Sequence, residues 1–236
     1  MTNKLVISEI EIEVQKKKIK NMHLSVLPPD GKVRISAPVS TKDETIRLFA
    51  ITKIGWIKKQ IAKFENQQRQ TDREYVSGES HYVWGRRYRM EILHNHINSV
   101  EIKGNKIILT VRETSTTQQR DNVMIEWYRK QLKEKLPMFI EKWEGIIGVQ
   151  AESVRVKNML TKWGTCNTQT KHIWINLQLA KKPIECLEYV VVHELVHLLE
   201  KTHNSVFIDY MDKYLPDWRV TKDLLNNFIM DQYWEE

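Results

Sequence analysis

Only two cysteines occur in the 236 residues, Cys166 and Cys186, and they form no C-x-x-C pair. That excludes a disulfide-stapled scaffold and a cysteine-based zinc finger, and leaves reduced thiols as the simplest state. No stretch approaches the ~20 apolar residues that a membrane helix needs, so no membrane partner is expected. The first residues, MTNKLVISEIEIEVQKKK, lack the apolar run and small-residue cleavage site of a secretory leader, and a cytoplasmic location is the default. There is no long internal repeat and no glycine-rich phosphate loop.

Hydrophobic residues make up 41% and charged residues 28%, which places the chain among ordinary soluble globular proteins of one large domain or two small ones. The formal net charge of +7 is compatible with a nucleotide or nucleic-acid partner, although a solvated basic surface explains it more simply. Basic residues are spread along the chain. Their densest run, Gln15-Lys16-Lys17-Lys18-Ile19-Lys20, reads as a basic turn between two strands.

The first part reads as β-rich. Val6, Ile10, Ile12 and Val14 fall on one alternating face, with Glu9, Glu11 and Glu13 on the other. Residues 20–27 and 32–37 alternate likewise, with the turn Pro28-Pro29-Asp30-Gly31 between them, so an antiparallel meander is expected. Residues 41–68 have helical spacing, with Thr41 and Glu44 as a capping box and Gly55 dividing the stretch. Two hairpins are expected next, one around Trp84-Gly85 and one around Gly104-Asn105. Residues 114–119 read as a polar connector. Residues 120–144 are helical again, and Pro137 should kink or split them. Residues 154–156 and 172–179 read as strands, with a turn at Trp163-Gly164-Thr165. Pro183 stands near the start of an apolar helix, and two more helices are expected over 204–214 and 216–230.

The apolar helix carries the chemistry. It contains His193-Glu194-Leu195-Val196-His197, an H-E-x-x-H sequence. Residues four apart share a helix face, so both imidazoles can converge on one cation. Glu194 points in a neighbouring direction, where it can reach a water on the metal rather than the metal itself. Two histidines and a glutamate in so apolar a run would be costly to bury without a partner, and a metal supplies one. A third histidine, His203, follows. In an unbroken helix it would lie roughly 15 Å along the axis from His193. The helix must therefore break between Leu199 and His203. Thr202 and Asn204 are poor helix formers, and Asn tolerates a left-handed turn. Three imidazoles suit zinc, and three ligands rather than four leave a catalytic position open.

Other polar residues have plainer readings. His172, on a strand, is expected to be structural, and His81, His94 and His96 to be surface residues of a hairpin region. Asp209 and Asp212 stand where they could support a ligating histidine or merely be solvated. Residues Trp163, Gly164, Thr165, Cys166 and Asn167 could line a cleft or form a turn around a buried tryptophan.

Together with Gly78-Glu79, Trp84-Gly85-Arg86-Arg87-Tyr88, Lys162-Trp163-Gly164-Thr165-Cys166-Asn167, Ile175-Asn176, His203-Asn204, Phe207 and Pro216-Asp217-Trp218, the H-E-x-x-H helix makes residues 75–222 resemble the YgjP-like metal-dependent hydrolases, which are similar to SprT- and WLM-type zincins. The resemblance implies His193, His197 and His203 as Zn2+ ligands and Glu194 as catalytic base. It implies that the tryptophan–glycine turn and the strand after it border the cleft, which makes Trp163, Gly164 and Asn176 candidate cleft residues. The family commonly has arginine where this chain has Lys162, so a planar bidentate donor is missing there.

The expected fold is α+β: a β-rich amino-terminal region over 1–115 with one helical segment, then a zincin-like helical catalytic region over 116–236 with a small mixed sheet. The expected activity is zinc-dependent hydrolysis of a peptide or protein substrate. The alternatives are pyrophosphatase action on a nucleotide such as UTP at the same metal, or a nucleic-acid-associated protease.

Overall fold

The protein is described by a computed structural model over residues 2–27, 31–66, 73–159 and 161–226. These fall into two compact units, up to residue 66 and from residue 73. The turn expected at 28–31 lies mostly outside the described residues, as do the ends of the helices expected to reach 68 and 230.

In the first unit, β1 (Thr2–Ile7), β2 (Ile10–Lys17), β3 (His23–Leu27) and β4 (Lys32–Pro38) precede α1 (Asp43–Thr52) and α2 (Ile54–Asn66). The sheet order is β1-β2-β4-β3, with β2 and β4 parallel. It is not the expected meander. Ser8 and Glu9, at φ 47° and 69°, close a tight hairpin inside the stretch that alternates like one strand. The two-residue turn shifts the parity, so Ile7 and Ile12 face the core while Val6 is 64% exposed. Val14, Val33, Ile35 and Ala37 of the sheet pack with Ile46, Ala50 and Ile57 of the helices in one apolar cluster. Thr41 does not cap α1. Lys42 holds that place with no side-chain bond, and the helices divide at Lys53, two residues before Gly55.

The second unit opens with β5 (Ser80–Val83), β6 (Arg86–His94), β7 (Ser99–Lys103) and β8 (Lys106–Val111) in the order β5-β6-β8-β7. This repeats the first sheet's arrangement, again with the second and fourth strands parallel. The likeness is one of topology, with no repeat in the sequence to match it. Both expected hairpins form. At the first, Gly85 has φ +78°, and a Cβ there would stand 2.9 Å from the Pro183 ring, so only glycine fits.

Next comes α3 (Thr117–Ile147), a helix of 31 residues that starts earlier than its apolar pattern suggests. Thr116 and Gln119 form a reciprocal capping box, the T-x-x-Q signature hidden in the presumed connector. Pro137 neither ends nor divides the helix. It lies on the exposed side of the helix, away from the core. The opposite face of α3, from Met124 to Ile147, builds the main core with Cys186, Leu187 and Val191.

The rest of the unit holds β9 (Ser153–Lys157), β10 (Gly164–Asn167), β11 (His172–Asn176), a 3-10 turn over Leu177–Lys181, α4 (Ile184–Val196), α5 (Ser205–Tyr214) and α6 (Trp218–Asn226). The small mixed sheet runs β10-β11-β9, antiparallel then parallel. The strand expected over 172–179 stops at Asn176, whose side chain accepts from the Gln178 amide and starts the 3-10 turn. The whole is an α+β fold. The division drawn at 115/116 falls inside the second unit, between β8 and α3. Among the described residues no helix is long and apolar enough to cross a membrane.

Candidate metal centre

α4 is buried on most of its circumference, which leaves only a narrow stripe for polar side chains. His193 and His197 share that stripe, their ring centroids 4.9 Å apart. The helix ends sooner than expected, at Val196, with His197 as its C-cap. Amides of Leu198, Leu199 and Glu200 bond back to Leu195 and Val196 and tighten the exit. Glu200 then holds the next bend by accepting from the Thr202 amide and hydroxyl. No residue in this bend adopts a left-handed backbone, so glycine is not needed. Asn204 is extended and serves as the N-cap of α5, accepting from the Phe207 amide. His203 is thereby fixed one residue ahead of a capped helix.

His203 comes back to α4. Its Nε2 lies 2.9 Å from His193 Nε2, and its ring is 4.7 Å from that of His197. One ligand atom from each histidine lies within 4.8 Å of the others. Phe207 packs against all three rings at 4.7–4.9 Å and floors the cluster. His197 Nδ1 donates to the Glu200 carbonyl at 3.1 Å, which presents Nε2 as the lone-pair nitrogen. His193 Nδ1 is buried with no bonding partner among the described residues. Burial, and then the neighbouring His197 and His203, push His193 down to about 3, and burial lowers His197 as well. Both rings are therefore neutral at pH 7. This donor set fits zinc. Two nitrogens on a tetrahedral zinc stand about 3.3 Å apart, close to the spacing of His193 and His203.

Glu194 sits beside the cluster, 4% exposed. Burial raises its carboxyl to about 8, against the pull of Lys162. Gly164 leaves room for it. A Cβ there would lie 2.5 Å from Glu194 Oε1 and 2.8 Å from Val190 Cγ1. Gly164, the first residue of β10 rather than part of the turn expected at 163–165, is thus the wall that Glu194 rests on.

A cavity of about 880 Å³ opens over these residues. Trp163, Gly164 and Cys166 line it. Asn176 does not line it. It is fully buried, and its Nδ2 donates to the carbonyls of Met159 and Lys162 at 2.8 and 2.6 Å. Its part is to hold the loop that carries Trp163. β10 is the edge strand at the cleft, since β11 is paired on both sides, and β11 contributes Trp174 to the lining. Tyr189, Lys201 and Lys222 also line the cavity and lie outside the segments the sequence marked as its border. Tyr189 was recoverable, one helical turn before His193. The others come from distant segments.

The remaining candidates fall outside the site. Asp212 accepts from Trp218 Nε1 at 2.7 Å and pairs with Arg219. Asp209 makes no such bond among the described residues. His172 Nδ1 bonds Ser153, a structural role as read. His94 and His96 are exposed. His81 is not the expected surface residue. It is 2% exposed and donates to Glu79 at 3.2 Å.

A profile of the family described as "YgjP-like, metallopeptidase domain" matches residues 20–228. No curated protein matches the sequence. Among solved structures, the metallopeptidase zymogen abylysin of Pyrococcus abyssi is 22% identical, with a TM-score of 0.34 over 39% of this chain and 98% of its own.

Proposed function

Because the chain belongs to the YgjP-like metallopeptidase family and is thereby a metal-dependent hydrolase, we propose that it is a zinc peptidase in which Glu194 is the general base. One observation carries this reading: three imidazole nitrogens converge within 4.8 Å beside the buried carboxyl group of Glu194. His193, His197 and His203 would hold the ion. When bound, zinc supplies Lewis acidity, polarising a carbonyl oxygen and lowering the pKa of a coordinated water.

The chain's own groups do the rest. An extended peptide adds along the free edge of β10, whose other edge is paired with β11. That places a peptide bond across the cleft in front of Glu194. The carboxylate takes a proton from the attacking water and returns it to the departing amine nitrogen. Burial raises the Glu194 carboxyl to about 8, against the pull of Lys162, which makes it a stronger base than an ordinary carboxylate. Gly164 and Val190 hold the carboxylate in one position.

The test is Glu194→Gln. It should retain one zinc per chain by metal analysis and lose at least ~10³-fold in peptide turnover. A zinc-replete variant with wild-type turnover would remove the base assignment.

A further inference from the structure

We propose that the cleft selects peptides carrying acidic side chains beside the scissile bond, and that Lys162, Lys201 and Lys222 recognise them. This rests on the peptidase reading above. The cavity lining contains these three lysines and a single carboxylate, that of Glu194. Glu194 is buried and committed to the reaction, so the accessible side-chain charge of the cleft is cationic before any metal is counted.

General basicity does not produce this. Residues 1–70 contain fourteen Lys and Arg against seven Asp and Glu. Residues 71–236 contain twenty-three of each. The whole +7 excess therefore belongs to the first unit's segment, and the catalytic segment is neutral. Three lysines to one carboxylate in the cleft is a local sorting of charge.

The nearby acids are turned elsewhere. Glu200, next to Lys201, accepts from Thr202. Asp212 holds Arg219 and Trp218. None of the three lysines is ion-paired with a described carboxylate. Lys222 Nζ sits 5.2 Å from the Trp218 ring centroid. The lysines come from three segments: the loop before β10, the bend between α4 and α5, and α6. All three lysines are exposed at the cleft, so their charge attracts ligands of opposite sign and is screened by salt. The Trp163, Trp174 and Tyr189 rings supply the apolar part of the lining. The free edge of β10 favours an extended chain over a compact phosphate ligand.

The test uses the zinc-loaded full-length protein. Fluorescent peptides matched in sequence carry Glu, Gln or Lys on both sides of the scissile bond. Binding is measured on Glu194→Gln by anisotropy, and cleavage on the wild type. The Glu peptide should bind roughly tenfold tighter than the Gln peptide at low salt, with the gap closing at 0.5 M salt. Lys162→Gln, Lys201→Gln and Lys222→Gln together should bring that ratio to near one. Equal binding of the Glu and Gln peptides, or an unchanged ratio in the triple variant, overturns the specificity. Preferential binding of a Glu peptide that the wild type leaves intact, with a nucleoside triphosphate hydrolysed instead, overturns the peptidase reading and the substrate assignment with it.

Discussion

Gly164 and Glu194 show how much one missing side chain can decide. Val190 and the Glu194 stem already occupy the space a methyl group would need. Gly164→Ala should therefore displace the carboxylate without touching the histidines. The expected result is an unchanged zinc content and a fall in kcat on the order of 10²-fold, measured on any cleaved peptide. Glu194 itself makes a second prediction about the metal-free protein. Its folded-state pKa, about 8, is raised above the ordinary carboxylate value of 4.5. Stability linked to a raised pKa is present below the unfolded value and lost as pH rises through the folded one. In chelator, Glu194→Gln should match the wild type near pH 4.5 and exceed it by on the order of 2 kcal/mol at pH 8. Urea midpoints at the two pH values decide it. Equal midpoints at pH 8 would mean that the carboxylate is not strained by burial.

At the scale of elements, two caps do different work. Thr116 closes the start of α3, far from the histidines in sequence, and Asn204 closes the start of α5, next to His203. Either substitution to alanine should cost ~1 kcal/mol of stability. Only Asn204→Ala should also weaken zinc binding, by about tenfold in a competition titration, because it frees the backbone beside a ligand. Parallel losses of affinity in both variants would show that the cap serves stability alone. In α3, Pro137→Ala restores a main-chain bond on the solvent face. It should stabilise the protein by about 1–3 kcal/mol in chemical denaturation.

At the scale of the molecule, the described residues form two apolar clusters, one in each unit. All three histidines belong to the second. Zinc should therefore raise the melting temperature of the second unit alone, by the equivalent of about 4 kcal/mol at a thousandfold excess over Kd. Calorimetry with zinc and with chelator should show one transition moving and one fixed. A single transition moving as a whole would mean that the units unfold as one.

The H-E-x-x-H helix was legible in the sequence because a helix period of 3.6 is a local property, and so were most strands and the hairpins at Trp84 and Gly104. Local chemistry also foretold that the chain must turn before His203, since a straight helix would carry that ring out of reach. Where it turned, and with no glycine, depended on bonds from Glu200 and Asn204. Contacts between distant segments were not legible. The parity shift at Ser8 and Glu9, the parallel pairing of β2 with β4, the inward role of Asn176 and the gathering of three lysines around one cleft all depend on which surfaces meet on folding. Periodicity specifies which face of an element is apolar. Only packing decides what that face meets, and so which polar groups are left to face the cleft.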